Sequence, residues 1–278
     1  MEPAAQVAAL LDKAELHQTP CGNGELRWQQ WSSGRAGPPL ILLHGGYGSW
    51  THWIANIPDL AASRNLWTVD LPGLGDSADM RKPHATSNSA KILLRGIDSL
   101  LGAGSEFDLA GFSFGAMVAA QLAIQAGSRC RRLLLCGAAG FGHLHVQVDL
   151  EKPPRVGKDA EEARGIHASN LRSLMFANTE TIDELAIYVH GENLSRARIN
   201  SRPLSRTDEL LKSLPQIKCA LTCVWGSRDA TAGGTENIAQ RRKLIEQAQP
   251  NVDFHVLNGV GHWAMYESPA AFNALLTD

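Results

Sequence analysis

Five cysteines stand among 278 residues, and the chain has no long apolar run, no basic run, no internal repeat and no low-complexity tract. Each absence removes a class of protein. The longest uncharged apolar runs fall far short of the ~20 residues a helix needs to cross a bilayer, so no membrane span is expected. With 26 Lys and Arg against 28 Asp and Glu, the formal charge is −2. Neither nucleic acid nor an anionic membrane surface is therefore an expected partner. The cysteines (Cys21, Cys130, Cys136, Cys219, Cys223) are odd in number and form no metal-ligand cluster. The last four fall in or beside expected strands, where small buried hydrophobes belong, so they read as reduced core thiols. His143 and His145 have metal-like spacing without a third ligand nearby, so no metal is expected. No secretory leader is expected either. The N-terminus carries Glu2 and Asp12 without a basic segment, and Val7, Leu10, Leu11 and Ala14 are spaced as an amphipathic helix. The expected location is the cytoplasm, and 44% hydrophobic with 19% charged residues fits one globular chain of ordinary size.

What is present alternates between two periods. Apolar or alternating runs predict strands at Gly24–Trp31, Leu40–Leu43, Leu66–Asp70, Phe107–Ala110, Arg132–Cys136, Ala220–Trp225 and Val252–Leu257. Helical spacing is expected at Thr51–Ala62, Ser87–Leu101, Ala116–Ala123, Thr235–Gln247 and Pro269–Leu276. Strands alternating with helices imply an α/β fold, a mostly parallel sheet covered on both faces. Between Gly140 and Pro215 there is no convincing buried strand, only helical stretches such as Ala168–Ala177 and Thr181–Ser195. A connection of that length is too long for a bare loop. The expected organisation is thus a core at 1–139, a helical cap at 140–215 and the rest of the core at 216–278.

Chemistry concentrates where expected strands end. Gly111-Phe112-Ser113-Phe114-Gly115 places a serine between a strand and a helix. Small residues on either side let Ser113 take a strained conformation that lifts its hydroxyl above the sheet. A serine hydroxyl needs a base, and the base needs a carboxylate to orient it. His262, in the glycine-rich stretch Asn258-Gly259-Val260-Gly261-His262-Trp263, is the candidate base. Asp229, in Gly226-Ser227-Arg228-Asp229 after the strand ending at Trp225, is the candidate carboxylate, with Asp76 and Asp253 as rivals. An oxyanion hole needs two converging amides. Phe114 supplies one, and Gly46 in His44-Gly45-Gly46-Tyr47-Gly48 the other, with Tyr47 as the alternative. His44 reads as ordering its own turn, and Asp70 and Asp76 as fixing the loop after their strand. Trp50, Trp53, Phe112, Phe114 and Trp263 form either an apolar substrate wall or plain packing; Tyr47, Phe112 and Trp263 are the candidate substrate contacts.

His44-Gly45-Gly46, Asp70-Leu71-Pro72-Gly73-Leu74-Gly75-Asp76-Ser77, the serine turn, Asp229 and Gly261-His262 follow one another as in the α/β-hydrolase superfamily, which the chain resembles over nearly its whole length. The stretch Gly261-His262-Trp263-Ala264-Met265-Tyr266-Glu267, followed by Pro269 and Phe272, resembles the histidine loop of the meta-cleavage-product hydrolases. Those enzymes cut a carbon–carbon bond in ring-fission products. Two features depart from that subfamily: phenylalanines flank the serine, and Ile187-Tyr188-Val189-His190 stands where a cap arginine is expected. Arg172, Arg196 and Arg198 are the candidate substitutes. The expectation is therefore a cofactor-free serine hydrolase of small, mainly apolar carboxylic esters working through an acyl-enzyme. A carbon–carbon hydrolase is the alternative, and a ligand receptor built on the hydrolase fold a further one. Its partner is a small-molecule substrate, and the oligomeric state is open.

Overall fold

The computed structural model describes residues 1–32, 34–152 and 160–277. Residues 153–159 of the expected cap, with 33 and 278 of the flanking core segments, lie outside the described residues. Eight strands form one sheet: β1 (Glu15–Cys21), β2 (Gly24–Trp31), β3 (Leu40–Leu43), β4 (Leu66–Val69), β5 (Phe107–Phe112), β6 (Cys130–Cys136), β7 (Ala220–Gly226) and β8 (Asp253–Leu257). Their order is β1-β2-β4-β3-β5-β6-β7-β8. The first two pairings, β1 with β2 and β2 with β4, are antiparallel, and all the others are parallel.

Every residue of β3, β4 and β5 is buried, which is why these strands read as unbroken apolar runs. The helices are α1 (Pro3–Leu11), α2 (Ile57–Ser63), α3 (Thr86–Leu101), α4 (Phe114–Ala126), α5 (Ala160–Leu174), α6 (Glu184–Arg196), α7 (Arg202–Ser205), α8 (Glu209–Ser213), α9 (Thr235–Ala248), α10 (Ala264–Glu267) and α11 (Pro269–Asn273). Because side chains alternate across a strand, β3 feeds two cores. Ile41 and Leu43 join Leu93 and Ile97 of α3, Val118 of α4 and Ile245 of α9. Leu40 and Leu42 join Ile57 and Leu60 of α2, Leu171 of α5 and Phe272 of α11. Of the elements between β6 and β7, α5 to α8 are helices, and none of the described residues there is a strand.

Three differences from the sequence expectation bear on the architecture. The single helix expected at Thr51–Ala62 is a 3₁₀ turn at Trp50–Trp53 followed by α2, with Pro58 in the first turn of α2. Proline has no N–H to donate back to the preceding turn, so a new helix begins there. The edge strand β1 has an irregular burial pattern and includes Pro20, so its strand character comes from pairing with β2. The serine strand also runs two residues further than expected, to Phe112.

Candidate active site

β5 ends at Phe112 and α4 begins at Phe114, leaving Ser113 alone between them with φ 53° and ψ −114°. This left-handed backbone is strained for a side chain with a Cβ. Ser113 N–H donates to Cys136 O at 2.9 Å, and Ser113 O accepts from Ala116 and Ala139 N–H at 3.1 and 3.3 Å. These bonds to β6 and the following loop hold the strain in place. Gly115 is required for a second reason. A Cβ there would strike the backbone oxygen of His44 and come within 2.7 Å of Leu43 O, so only glycine lets α4 start against β3.

Asp229 lies three residues beyond β7, and His262 five beyond β8. Parallel strands carry both to the same sheet edge as Ser113. His262 Nε2 is 3.1 Å from Ser113 Oγ, and His262 Nδ1 is 2.8 Å from Asp229 Oδ2. The carboxylate commits the proton to Nδ1, leaving the Nε2 lone pair facing the serine hydroxyl. Burial pushes the Asp229 carboxyl up, but electrostatic attraction to the facing His262 ring and the hydrogen bonds from His262 and Thr231 outweigh it and hold the group below its ordinary value. It stays ionised. The rival carboxylates are elsewhere: Asp253 is exposed beside His255, and Asp76 pairs with Arg196.

The other oxygen of Asp229 is saturated locally. Oδ1 accepts from Thr231 N–H at 2.8 Å, Thr231 Oγ1 at 2.7 Å and Ala232 N–H at 3.2 Å. Sequence reasoning passed over Thr231, although Asp-x-Thr is the signature of a carboxylate that turns on its own backbone. Arg241 on α9 braces this loop from behind. Its buried guanidinium donates to Ala232 O at 2.9 Å, Thr231 O at 3.3 Å and Leu144 O at 2.5 Å.

The loop after β3 lies against the serine turn, with Phe112 and Ser113 packed beside Gly45. Among the described residues Gly46 N–H makes no hydrogen bond, while Phe114 N–H, first in α4, has no carbonyl one turn back. Both amides are available to an oxyanion. Tyr47 takes φ 54° and directs its hydroxyl to Asn200 Oδ1 at 2.6 Å. His44 is buried and its pKa is driven down to about 4 by desolvation. Its Nδ1 faces Gly45 O at 2.8 Å and its Nε2 accepts from Leu71 N–H at 2.9 Å, so it orders the turn as a neutral ring. Asp70 accepts from Trp50 N–H at 2.8 Å and Asp76 N–H at 2.9 Å.

A cavity of about 110 Å³ opens onto Ser113 and His262. Phe112, Phe114, Val148, Leu174 and Met175 give it apolar walls, and Tyr47 also lines it. Trp263, expected at this wall, is absent from it. It is buried against Phe176 and Tyr266, with its indole N–H donating to His52 O at 2.8 Å. Trp50 and Trp53 likewise pack against Trp31 and Phe272. The candidate cap arginines also stand elsewhere. Arg196 and Arg198 pair with Asp76 and Asp79, and Arg172 does not line the cavity. The arginines at the cavity are Arg202 and Arg206, joined by Ser201, His145 and Gln147, and no Asp or Glu lines it among the described residues. Nothing local in the sequence marks these five, since their position depends on how the segment between β6 and β7 folds back over the sheet. No group of three or more His, Cys, Asp or Glu among the described residues is placed to hold a metal ion.

A mostly parallel eight-stranded sheet with helices on both faces, carrying a strained serine turn at the end of its central strand, defines an α/β hydrolase. Residues 40–275 match the Alpha/beta hydrolase family, and the chain belongs to it. It is 28% identical over 261 residues to the 2-hydroxy-6-oxo-2,4-heptadienoate hydrolase of Pseudomonas putida strain F1, covering 87% of this chain and 89% of that protein. It is 29% identical to the 2-hydroxymuconate semialdehyde hydrolase of Pseudomonas sp. strain CF600, covering 87% of each. Among solved structures it resembles the esterase RhEst1 of Rhodococcus sp. ECU1013, with a TM-score of 0.73 and 20% identity over 94% of this chain and 96% of that one. That last likeness is one of fold.

Proposed function

We propose that this hydrolase cleaves small carboxylic esters through an acyl-enzyme on Ser113. The supporting observation is the unbroken line from Asp229 Oδ2 through His262 to Ser113 Oγ, with Nδ1 held by Asp229 at 2.8 Å and Thr231 Oγ1 farther off at 3.3 Å, and Nε2 facing the serine. His262 takes the serine proton as Ser113 attacks the carbonyl, Asp229 stabilises the imidazolium, and the proton then goes to the leaving alcohol. The amides of Gly46 and Phe114 receive the oxyanion. Water, deprotonated by the same histidine, releases the acid. The helices at 140–215 act as a cap over the cavity. A volume of about 110 Å³ is well below the ~300–1,000 Å³ of sites for drug-sized ligands, which favours a short acyl group.

A second reading, carbon–carbon hydrolysis of a ring-fission dienoate, draws on two observations. The sequence relatives above carry that activity in their names. Arg202 and Arg206, in place of the Arg172, Arg196 and Arg198 named from the sequence, also offer cations at the cavity, and a dienoate carboxylate needs one. The same three residues would then first assist a keto–enol shift before the bond breaks.

A substrate panel tests both readings: p-nitrophenyl acetate and butyrate against 2-hydroxy-6-oxohepta-2,4-dienoate, with the parent, Ser113→Ala, Arg202→Ala and Arg206→Ala. Higher kcat/KM on the esters, changed little by either arginine variant, supports ester hydrolysis. Faster dienoate cleavage that collapses in an arginine variant replaces it with the second reading. Full activity in Ser113→Ala overturns both.

A further inference from the structure

The segment joining α6 to α7 is fastened onto the loops after β3 and β4 at several points. Arg198 N–H donates to Gly73 O at 2.9 Å, and Ile199 packs against Gly73. Asn200 Oδ1 receives both the Tyr47 hydroxyl, at 2.6 Å, and Arg202 N–H, at 3.1 Å. The Arg202 guanidinium stands over the Tyr47 ring, 5.4 Å from its centroid. Ser201 is in the middle of this clamp. Its carbonyl accepts from Ser205 N–H at 3.0 Å and Ser205 Oγ at 3.2 Å.

Its hydroxyl is different. Ser201 is only 2% exposed, it lines the cavity that holds Ser113 and His262, and its Oγ makes no hydrogen bond among the described residues. Buried hydroxyls are almost always partnered, so one left open inside a cavity is a donor awaiting an acceptor. Its position identifies the acceptor. A Cβ on Gly46 would collide with Ser201 Oγ and would also lie 3.5 Å from Phe114 Cβ. The hydroxyl thus occupies the side-chain position that Gly46 leaves vacant, beside the two residues whose amides face the cavity.

We infer that Ser201 donates a third hydrogen bond to the substrate carbonyl oxygen as it becomes an oxyanion, delivered by the segment between α6 and α7. This rests on the serine-hydrolase reading. The hydroxyl keeps its proton throughout and adds a dipole where negative charge develops. It also accounts for glycine at position 46, since any side chain there would displace the donor. The Tyr47–Asn200 bond is then what sets the donor's place relative to the amides, so the hole is complete only when this segment is docked.

The test is Ser201→Ala and Ser201→Cys, assayed with p-nitrophenyl butyrate and by affinity for a short alkyl trifluoromethyl ketone, to which Ser113 adds reversibly to leave an oxyanion. Loss of one oxyanion donor predicts kcat lower by about 10²-fold in Ser201→Ala with KM within about twofold. Ketone affinity should fall in parallel with kcat/KM, and the weak thiol donor of Ser201→Cys should give intermediate values. Alanine removes an unpartnered hydroxyl, so Tm should hold. If it does not, the near-isosteric cysteine variant carries the comparison. Unchanged kcat and ketone affinity, or a rise in KM alone, overturns the inference while an inactive Ser113→Ala leaves the hydrolase reading standing. A fully active Ser113→Ala removes the reading on which it rests.

Discussion

At the scale of single residues, the chemistry depends on which nitrogen of His262 holds the proton. Asp229 Oδ2 settles this at 2.8 Å, while its Oδ1 is held by Thr231 and Ala232. Asp229→Asn keeps the volume but offers either a donor or a neutral acceptor to Nδ1, so the ring is no longer held in the tautomer that can accept from Ser113. Turnover should fall by about 10⁴-fold, the loss seen when the triad aspartate of a serine protease becomes asparagine. Asp253→Asn should leave turnover unchanged, because that carboxylate is exposed and pairs with His255, away from Ser113. Steady-state kinetics on the two variants checks the assignment, and the reverse pattern would mean that another carboxylate orients the base.

Among the elements, α5 and α6 are joined by a pair of imidazoles. His167 Nδ1 and His190 Nδ1 are 3.1 Å apart, with rings edge to face at 71°. One ring donates and the other accepts, so the contact requires that they are not both protonated. Burial, and secondarily His167, drives the His190 pKa down to about 4, and burial lowers that of His167. The unfolded chain titrates near 6.5. Its stabilising contribution is therefore fully present above about pH 6.5 and is lost as pH falls through 4, where the folded protein must also take up the proton. His190→Phe keeps the aromatic contact and removes the titration. Between pH 6.5 and 4 its stability should fall less steeply than the parent's, by up to about 1.4 kcal/mol per pH unit. His44 and His52 are also lowered by burial, so a residual slope remains. Urea unfolding at several pH values measures the difference, and superimposable slopes would refute the assignment.

For the whole molecule, the parallel order of β3, β5, β7 and β8 brings four loops to one edge, and the long connection after β6 covers it. Arg241 ties these parts together from α9, donating to Leu144 O beyond β6 and to Thr231 O and Ala232 O beyond β7. Arg241→Met fills the space but leaves three buried carbonyls without their donor. The cost should be roughly 3 kcal/mol, and kcat should fall with it because Thr231 no longer holds Asp229 from a fixed backbone. For a domain of this size Tm should drop by roughly 6–12 °C. Calorimetry alongside ester kinetics reads both, and a loss of Tm with unaltered kcat would confine Arg241 to stability.

Whatever obeyed local chemistry was legible in the chain itself. The buried runs at Leu40–Leu43 and Phe107–Ala110 read as strands because both faces of a parallel sheet must be apolar. Ser113 was legible because a strand-to-helix turn needs small neighbours, and Asp229 and His262 because each follows a strand in its own loop. β1 was not legible, since an edge strand with a polar face is defined by its partner. Nor was the packing of Trp263, whose fate depended on Phe176 arriving from 87 residues earlier in the chain. The tertiary structure alone placed Ser201, Arg202 and Arg206 at the cavity and sent Arg196 and Arg198 to carboxylates elsewhere. Sequence determines a side chain's chemistry and its local backbone, but the partner of a residue on a long connection is set by how that connection docks. Docking is decided by contacts such as Arg198 with Gly73 and Tyr47 with Asn200, between residues over a hundred positions apart, and no local pattern records them.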